Sequence, residues 1–137
     1  MAEKTKEQKK ETELQRIPPH SEELEQSVLG AMMLDTEAFG KAVDWLDENV
    51  FYKPAHLIIY QAMMSLFKKS SPIDYLTVVE ELKAMGKLDE VGGGYYISQL
   101  TDMVTSPASV EHYSKMLTEK SILRKVISVS TDTIDES

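Results

Sequence analysis

Three adjacent glycines, Gly92-Gly93-Gly94, stand ahead of Tyr95-Tyr96-Ile97-Ser98-Gln99-Leu100. A glycine run before an apolar stretch is one place where phosphate-cradling loops occur. Such a loop needs Lys followed by Ser or Thr after the glycines, to reach the phosphates and the magnesium ion. Tyr95 and Tyr96 occupy those places, and Asp89 and Glu90 just upstream would repel phosphate. The segment Lys87-Leu88-Asp89-Glu90-Val91 is too polar for the buried parallel strand that precedes such loops. The dinucleotide-binding pattern fails as well, because the run lacks its later glycine. No Gly-Lys-Ser or Gly-Lys-Thr occurs elsewhere in the chain. The run therefore reads as backbone freedom at the entrance to a helix, with Tyr95 and Tyr96 packing.

The remaining chemistry-bearing residues are tested in the same way. His20, His56 and His112 are too scattered for a ligand set, and no His-Glu-x-x-His or calcium-loop spacing is present. They are expected at the surface or half-buried. Ser70, Ser71 and Ser106 sit in turn or cap contexts, where a hydroxyl serves backbone amides. No Gly-x-Ser-x-Gly turn exists to present a nucleophile. The carboxylate pairs Glu22-Glu23, Asp47-Glu48 and Glu80-Glu81 are adjacent in sequence and read as solvated faces. There is no cysteine, so neither a disulfide nor a thiolate metal site can form. No catalytic, cofactor-binding or metal-binding residue is assigned. The doublets Met32-Met33 and Met63-Met64 have two readings: core filling, or a soft, partly exposed contact surface. Trp45 and Tyr52 flank a connection and read as core anchors, with a partner hot spot as the other reading.

These residues need elements to hold them, and the elements are helical. Residues 1–16 are almost wholly polar and predict a disordered tail. Ile17-Pro18-Pro19 forces extended backbone and ends it. Ser21 is a candidate N-cap, and Leu24, Val28, Leu29, Met32 and Met33 recur at helical spacing to about Leu34. Asp35 or Thr36 caps a second helix carrying Phe39, Val43 and Leu46. Gly30 and Gly40 lower helix propensity but allow close helix approach. After the connection Asn49 to Lys53, Pro54 opens a third helix with the stripe Leu57, Tyr60, Met64 and Phe67. Asp74 caps a fourth, with Ile73 and Val78 as a hydrophobic staple and Leu76, Val79, Leu82 and Met85 following. Gly86 is its left-handed stop. Tyr96, Leu100 and Val104 mark a short fifth helix. Ser106-Pro107 opens a sixth, which runs through Val110, Tyr113, Leu117, Leu123, Ile127 and Ile134 without a stop signal. No alternating run suggests a strand. The expected fold class is all-α, a bundle of about six helices with a long last helix. An apolar helix edge continuing beyond a small core needs a partner to cover it. The chain therefore reads as a fragment of a longer protein, or as one whose arm packs on a second copy. Leu123, Val126, Ile127 and Ile134 are the residues assigned to self-association.

A chain of 137 residues holds one ordinary core. Residues 1–20 carry five Lys/Arg against four Glu, whereas the remainder carries ten Lys/Arg against nineteen Asp/Glu. An acidic body repels phosphate backbones and suits a solvated face or a basic protein partner. Direct nucleic-acid binding is not expected of it. No apolar stretch, Leu57-Ile58-Ile59-Tyr60 included, approaches the length of a membrane span. With no hydrophobic signal core between Met1 and Arg16, a cytoplasmic setting is expected.

Five pieces in order resemble the DnaB family of bacterial replicative DNA helicases. They are Ile17-Pro18-Pro19-His20-Ser21-Glu22-Glu23-Leu24-Glu25-Gln26-Ser27-Val28-Leu29-Gly30-Ala31-Met32-Met33-Leu34; Phe51-Tyr52-Lys53-Pro54-Ala55-His56 with Ile59-Tyr60-Gln61-Ala62-Met63; Ile73-Asp74 through Val78-Val79-Glu80-Glu81-Leu82; Val91-Gly92-Gly93-Gly94-Tyr95-Tyr96-Ile97; and Val110-Glu111-His112-Tyr113. The resemblance implies an all-α N-terminal domain over residues 17–119, preceded by the tail of residues 1–16. Residues 120–137 would then begin a helical hairpin that is truncated here. Family domains of this kind form a collar of dimers on a hexameric ring, and dock primase and, in some bacteria, a loader. ATP, magnesium and strand translocation belong to a RecA-like C-terminal domain that this chain lacks. The implied function is a non-catalytic assembly and partner-docking domain, with no cofactor in this fragment. The alternative is a free-standing helical regulator that binds nucleic acid through Lys4, Lys6, Lys9, Lys10 and Arg16.

Overall fold

Helix starts lie where the side-chain chemistry puts them. Ser21 has extended backbone, and its hydroxyl accepts the Leu24 N–H at 3.2 Å, opening α1 (Glu22–Leu34). Asp35 accepts the N–H groups of Glu37 and Ala38 at 2.8 and 3.3 Å, opening α2 (Thr36–Val43). Pro54 is the first residue of α3 (Pro54–Lys68). Asp74 and Thr77 satisfy each other's backbone N–H in a capping box ahead of α4 (Tyr75–Ala84). Gly92 and Gly93, at φ 110° and 76°, turn the chain into α5 (Gly93–Asp102). A 3-10 turn over Pro107–Ser109 leads into α6 (Val110–Glu136). The computed structural model describes residues 17–104 and 106–136, with side chains as far as Ser130. Among these the elements are helical throughout, six α-helices with the last continuing from the short turn, as the sequence predicts. The polar tail lies outside the described residues.

The core runs through all six helices. Val28, Leu29 and Met32 of α1 join Ala42 of α2, Ile59 and Met63 of α3, Leu82 of α4, Ile97 and Leu100 of α5 and Leu117 of α6, all essentially without solvent contact. Each of these side chains larger than alanine gains about 1.5–3 kcal/mol from burial. Gly30 is where α1 meets α5. A Cβ there would lie 2.0 Å from the Leu100 carbonyl oxygen and 2.7 Å from Cγ2 of Val104. The helices approach this closely only because the position has no side chain. Gly40 faces open space, so close approach accounts for Gly30 alone. The C-terminal end of α3 is tied to α4 through Glu81. The Ser65 hydroxyl donates to its Oε1 at 2.7 Å, and Lys69 Nζ reaches both oxygens at 3.0 and 3.1 Å. The Ser65 bond, then the Lys69 bond, hold the Glu81 carboxyl below the usual carboxylate range.

Several expectations from spacing need correction. The buried face of α3 is His56, Ile59, Tyr60, Ala62, Met63 and Leu66, one residue out of phase with the expected stripe, and Phe67 is exposed. The helix is apolar on most of its circumference, so two stripes satisfy the same periodicity. Leu76 and Tyr95 are exposed rather than packed, while Tyr96 does pack. Leu46 is buried but lies beyond the end of α2. Met32, Met33 and Met63 are buried, which is the core-filling reading, while Met64 is half-buried against the edge of the core. Trp45 and Tyr52 are partly exposed and engage cations on one face, Lys115 at 4.9 Å and Arg124 at 5.7 Å respectively. Ser106 makes no side-chain cap bond.

Candidate functional site

The site begins with the way α6 is fastened to the body. Its base is zipped along the connection that follows α2. Lys115 sits over the Trp45 ring. One turn on, the Thr118 hydroxyl donates to the Trp45 carbonyl at 2.9 Å. Ser121 then donates to the Asn49 carbonyl at 3.1 Å. Arg124 completes the row with Nη1 on the Pro19 carbonyl at 2.8 Å and Nη2 on the carbonyls of Asn49 and Val50 at 3.0 and 2.9 Å. These carbonyls lie outside regular helix and would otherwise need water or another donor.

Fastening one side of a helix decides which side is left over. At about 100° per residue, Ile122, Leu123, Val126, Ile127 and Val129 cover an arc of about 160°, and Ser121, Arg124 and Ser128 lie opposite its centre. The apolar arc faces away from the body. Leu123, Val126 and Ile127 are 51%, 56% and 50% exposed, and Ile122 and Val129 are similarly open. An apolar arc of this width is the kind of surface a helix ordinarily turns to a core. Three of the four residues assigned to self-association are thus brought onto one exposed face. The side chain of Ile134 lies outside the described residues, although its backbone belongs to α6.

A second constellation is buried, and the sequence reading missed it. Glu25 and His56 have no solvent contact. Glu25 accepts the backbone N–H groups of Tyr52 and Lys53 at 2.9 and 3.3 Å, and lies 2.8 Å from His56 Nδ1. The other ring nitrogen, Nε2, lies 2.6 Å from the Tyr96 hydroxyl, which also accepts from Gln26 at 3.2 Å. Donor chemistry assigns the protons. Nδ1 faces a carboxylate and donates, leaving Nε2 to accept the Tyr96 hydroxyl hydrogen. A carboxylate, imidazole and phenol in line resemble a proton relay, but the partners of Glu25 give it another task. It serves the backbone just ahead of α3, whose N-cap Lys53 has no capping side chain. The negative charge also lies at the favourable end of that helix. The network pins α1, α3 and α5 together. The signal was present: Glu25 stands three and four residues before Val28 and Leu29, and His56 three and four before Ile59 and Tyr60. Both are on the core phase of their helices.

The glycine run contributes a bend. Gly92 N–H bonds to the Asp89 carbonyl and Gly93 N–H to that of Leu88. No group of three or more His, Asp or Glu side chains among the described residues is arranged to hold a metal ion. No helix among them is long and apolar enough to cross a membrane. The basic residues Lys4, Lys6, Lys9, Lys10 and Arg16 lie outside the described residues.

A bundle with this helix order and a fastened last helix has clear relatives. The family described as DnaB-like helicase N terminal domain matches residues 17–119. The chain belongs to that family. It is 44% identical over 117 residues to the replicative DNA helicase DnaB of Geobacillus stearothermophilus, covering 85% of this chain. The corresponding figure for DnaB of Rhodothermus marinus is 42% over 116 residues, again 85% of the chain. The chain spans 26% and 12% of the length of these two relatives. The crystal structure of the N-terminal domain of DnaB helicase from Mycobacterium tuberculosis superposes with a TM-score of 0.84 at 34% identity, covering 87% of this chain and 86% of that one.

Proposed function

We propose that this chain is the assembly and partner-docking part of a replicative DNA helicase. The observation that carries the proposal is the apolar arc of α6, turned away from the body because the opposite side is bonded to it. Residues 17–119 serve as the docking body. Residues 120–137 are the arm through which copies meet, first as a dimer and, in a longer protein, as a hexameric collar. The acidic body favours protein partners with basic surfaces, and primase and, in some bacteria, a helicase loader are the partners this role calls for. The role is non-catalytic, with no cofactor of its own. Unwinding at the replication fork, ATP and magnesium belong to the RecA-like domain of the longer protein, and the setting is the cytoplasm.

Sedimentation equilibrium tests the assembly role. The wild-type chain is expected to show a dimer. The double variant Leu123→Glu, Ile127→Glu is expected to sediment as a monomer with unchanged helical content, because two charges in an apolar contact cannot be desolvated without partners. An unchanged dimer in that variant places the interface elsewhere and contradicts the proposal.

A further inference from the structure

We propose that Arg124 is the positioning residue of the arm, fixing the direction in which the apolar arc is presented. The inference rests on the self-association reading and deepens it. The contacts from α6 to the body form a row at Lys115, Thr118, Ser121 and Arg124, and Arg124 stands at its far end. It also carries the most bonds. Two of its nitrogens reach three carbonyls, and its guanidinium lies 5.7 Å from the centre of the Tyr52 ring. Those carbonyls come from two separate segments, the Pro19 leader ahead of α1 and the Asn49–Val50 connection ahead of α3. His20 closes the same corner by stacking on the same Tyr52 ring, with centroids 4.1 Å apart. The fork shape of guanidinium is what allows one side chain to gather three acceptors, and a lysine cannot reproduce it.

The arc begins at this point. Leu123, Val126 and Ile127 flank Arg124 in sequence, and the centre of the five-residue arc they belong to lies about 140° around the helix from Arg124. Two helices that pair along such arcs must meet at a defined angle. A helix held at its base meets that requirement before encounter, whereas one that pivots must lose its freedom on association. Preorganisation of this kind strengthens binding without adding a contact. Arg124 makes none of the proposed intermolecular contacts itself, so its effect is separable from theirs.

Double electron–electron resonance can read the arm direction directly. The chain has no cysteine, so labels at Lys83→Cys and Ser128→Cys are the only ones present. Labelled chain diluted into excess unlabelled chain reports the distance within one molecule. The wild-type background is expected to give one narrow distribution. Arg124→Gln is expected to broaden it and to weaken the dimer about tenfold or more, while Arg124→Lys falls between the two. Leu123→Glu with Ile127→Glu is expected to lose the dimer while the distribution stays narrow. Two results overturn the proposal: a narrow distribution in Arg124→Gln, or a broad one with an undiminished dimer. If the wild-type chain stays monomeric at all concentrations, the self-association reading fails. The distribution widths of wild type and Arg124→Gln then decide the Arg124 assignment by themselves.

Discussion

Glu25 shows how a single charge is made tolerable inside a small core. An isolated carboxylate there is prohibitive, but this one meets two backbone N–H groups and the His56 ring. Removing one member leaves the others buried without partners. Glu25→Ala is expected to lower stability by about 3–5 kcal/mol in urea unfolding. Tyr96→Phe removes only the terminal hydroxyl and is expected to lose about 1 kcal/mol. Equal effects of the two substitutions would contradict the central role given to Glu25. Caps were legible at this scale, because Ser21, Asp35 and Asp74 act on amides two or three residues away. The Glu25–His56 pair was not legible, because its members are thirty-one residues apart and polar types suggest solvent. Only their position on the apolar phase of two helices marks them as buried.

At the scale of elements, helix approach separates two glycines that look alike in sequence. Gly30→Ala forces a methyl group onto the Leu100 carbonyl and is expected to destabilise the fold by about 1–3 kcal/mol. Gly40→Ala has open space before it and is expected to stabilise by about 0.5–1 kcal/mol through helix propensity. Thermal unfolding of the two variants checks the contrast, and shifts of the same sign would contradict it. The number and order of helices followed from caps, Pro54, Gly86 and the glycine run. The rotation of α3 did not, since a helix apolar on several faces leaves its buried side to the neighbours. The exposed arc of α6 was legible because few polar residues interrupt its spacing. The zipper that aims it was hidden, because its acceptors are backbone carbonyls that carry no sequence signature.

At the scale of the whole molecule, an acidic body carries a helix whose polar side is bonded inward and whose apolar side is presented outward. The arrangement suits association through the arm while the body remains soluble and available to basic partners. Chemical cross-linking tests that claim most directly, since any cysteine introduced will be the only one. Single variants Leu123→Cys, Val126→Cys and Ile127→Cys are expected to give covalent dimers with a short thiol-reactive linker. Lys125→Cys and Ser128→Cys, off the arc, are expected to associate as the wild type does but to stay uncross-linked. Equal yields at all five positions, or cross-linking confined to the last two, would contradict the account.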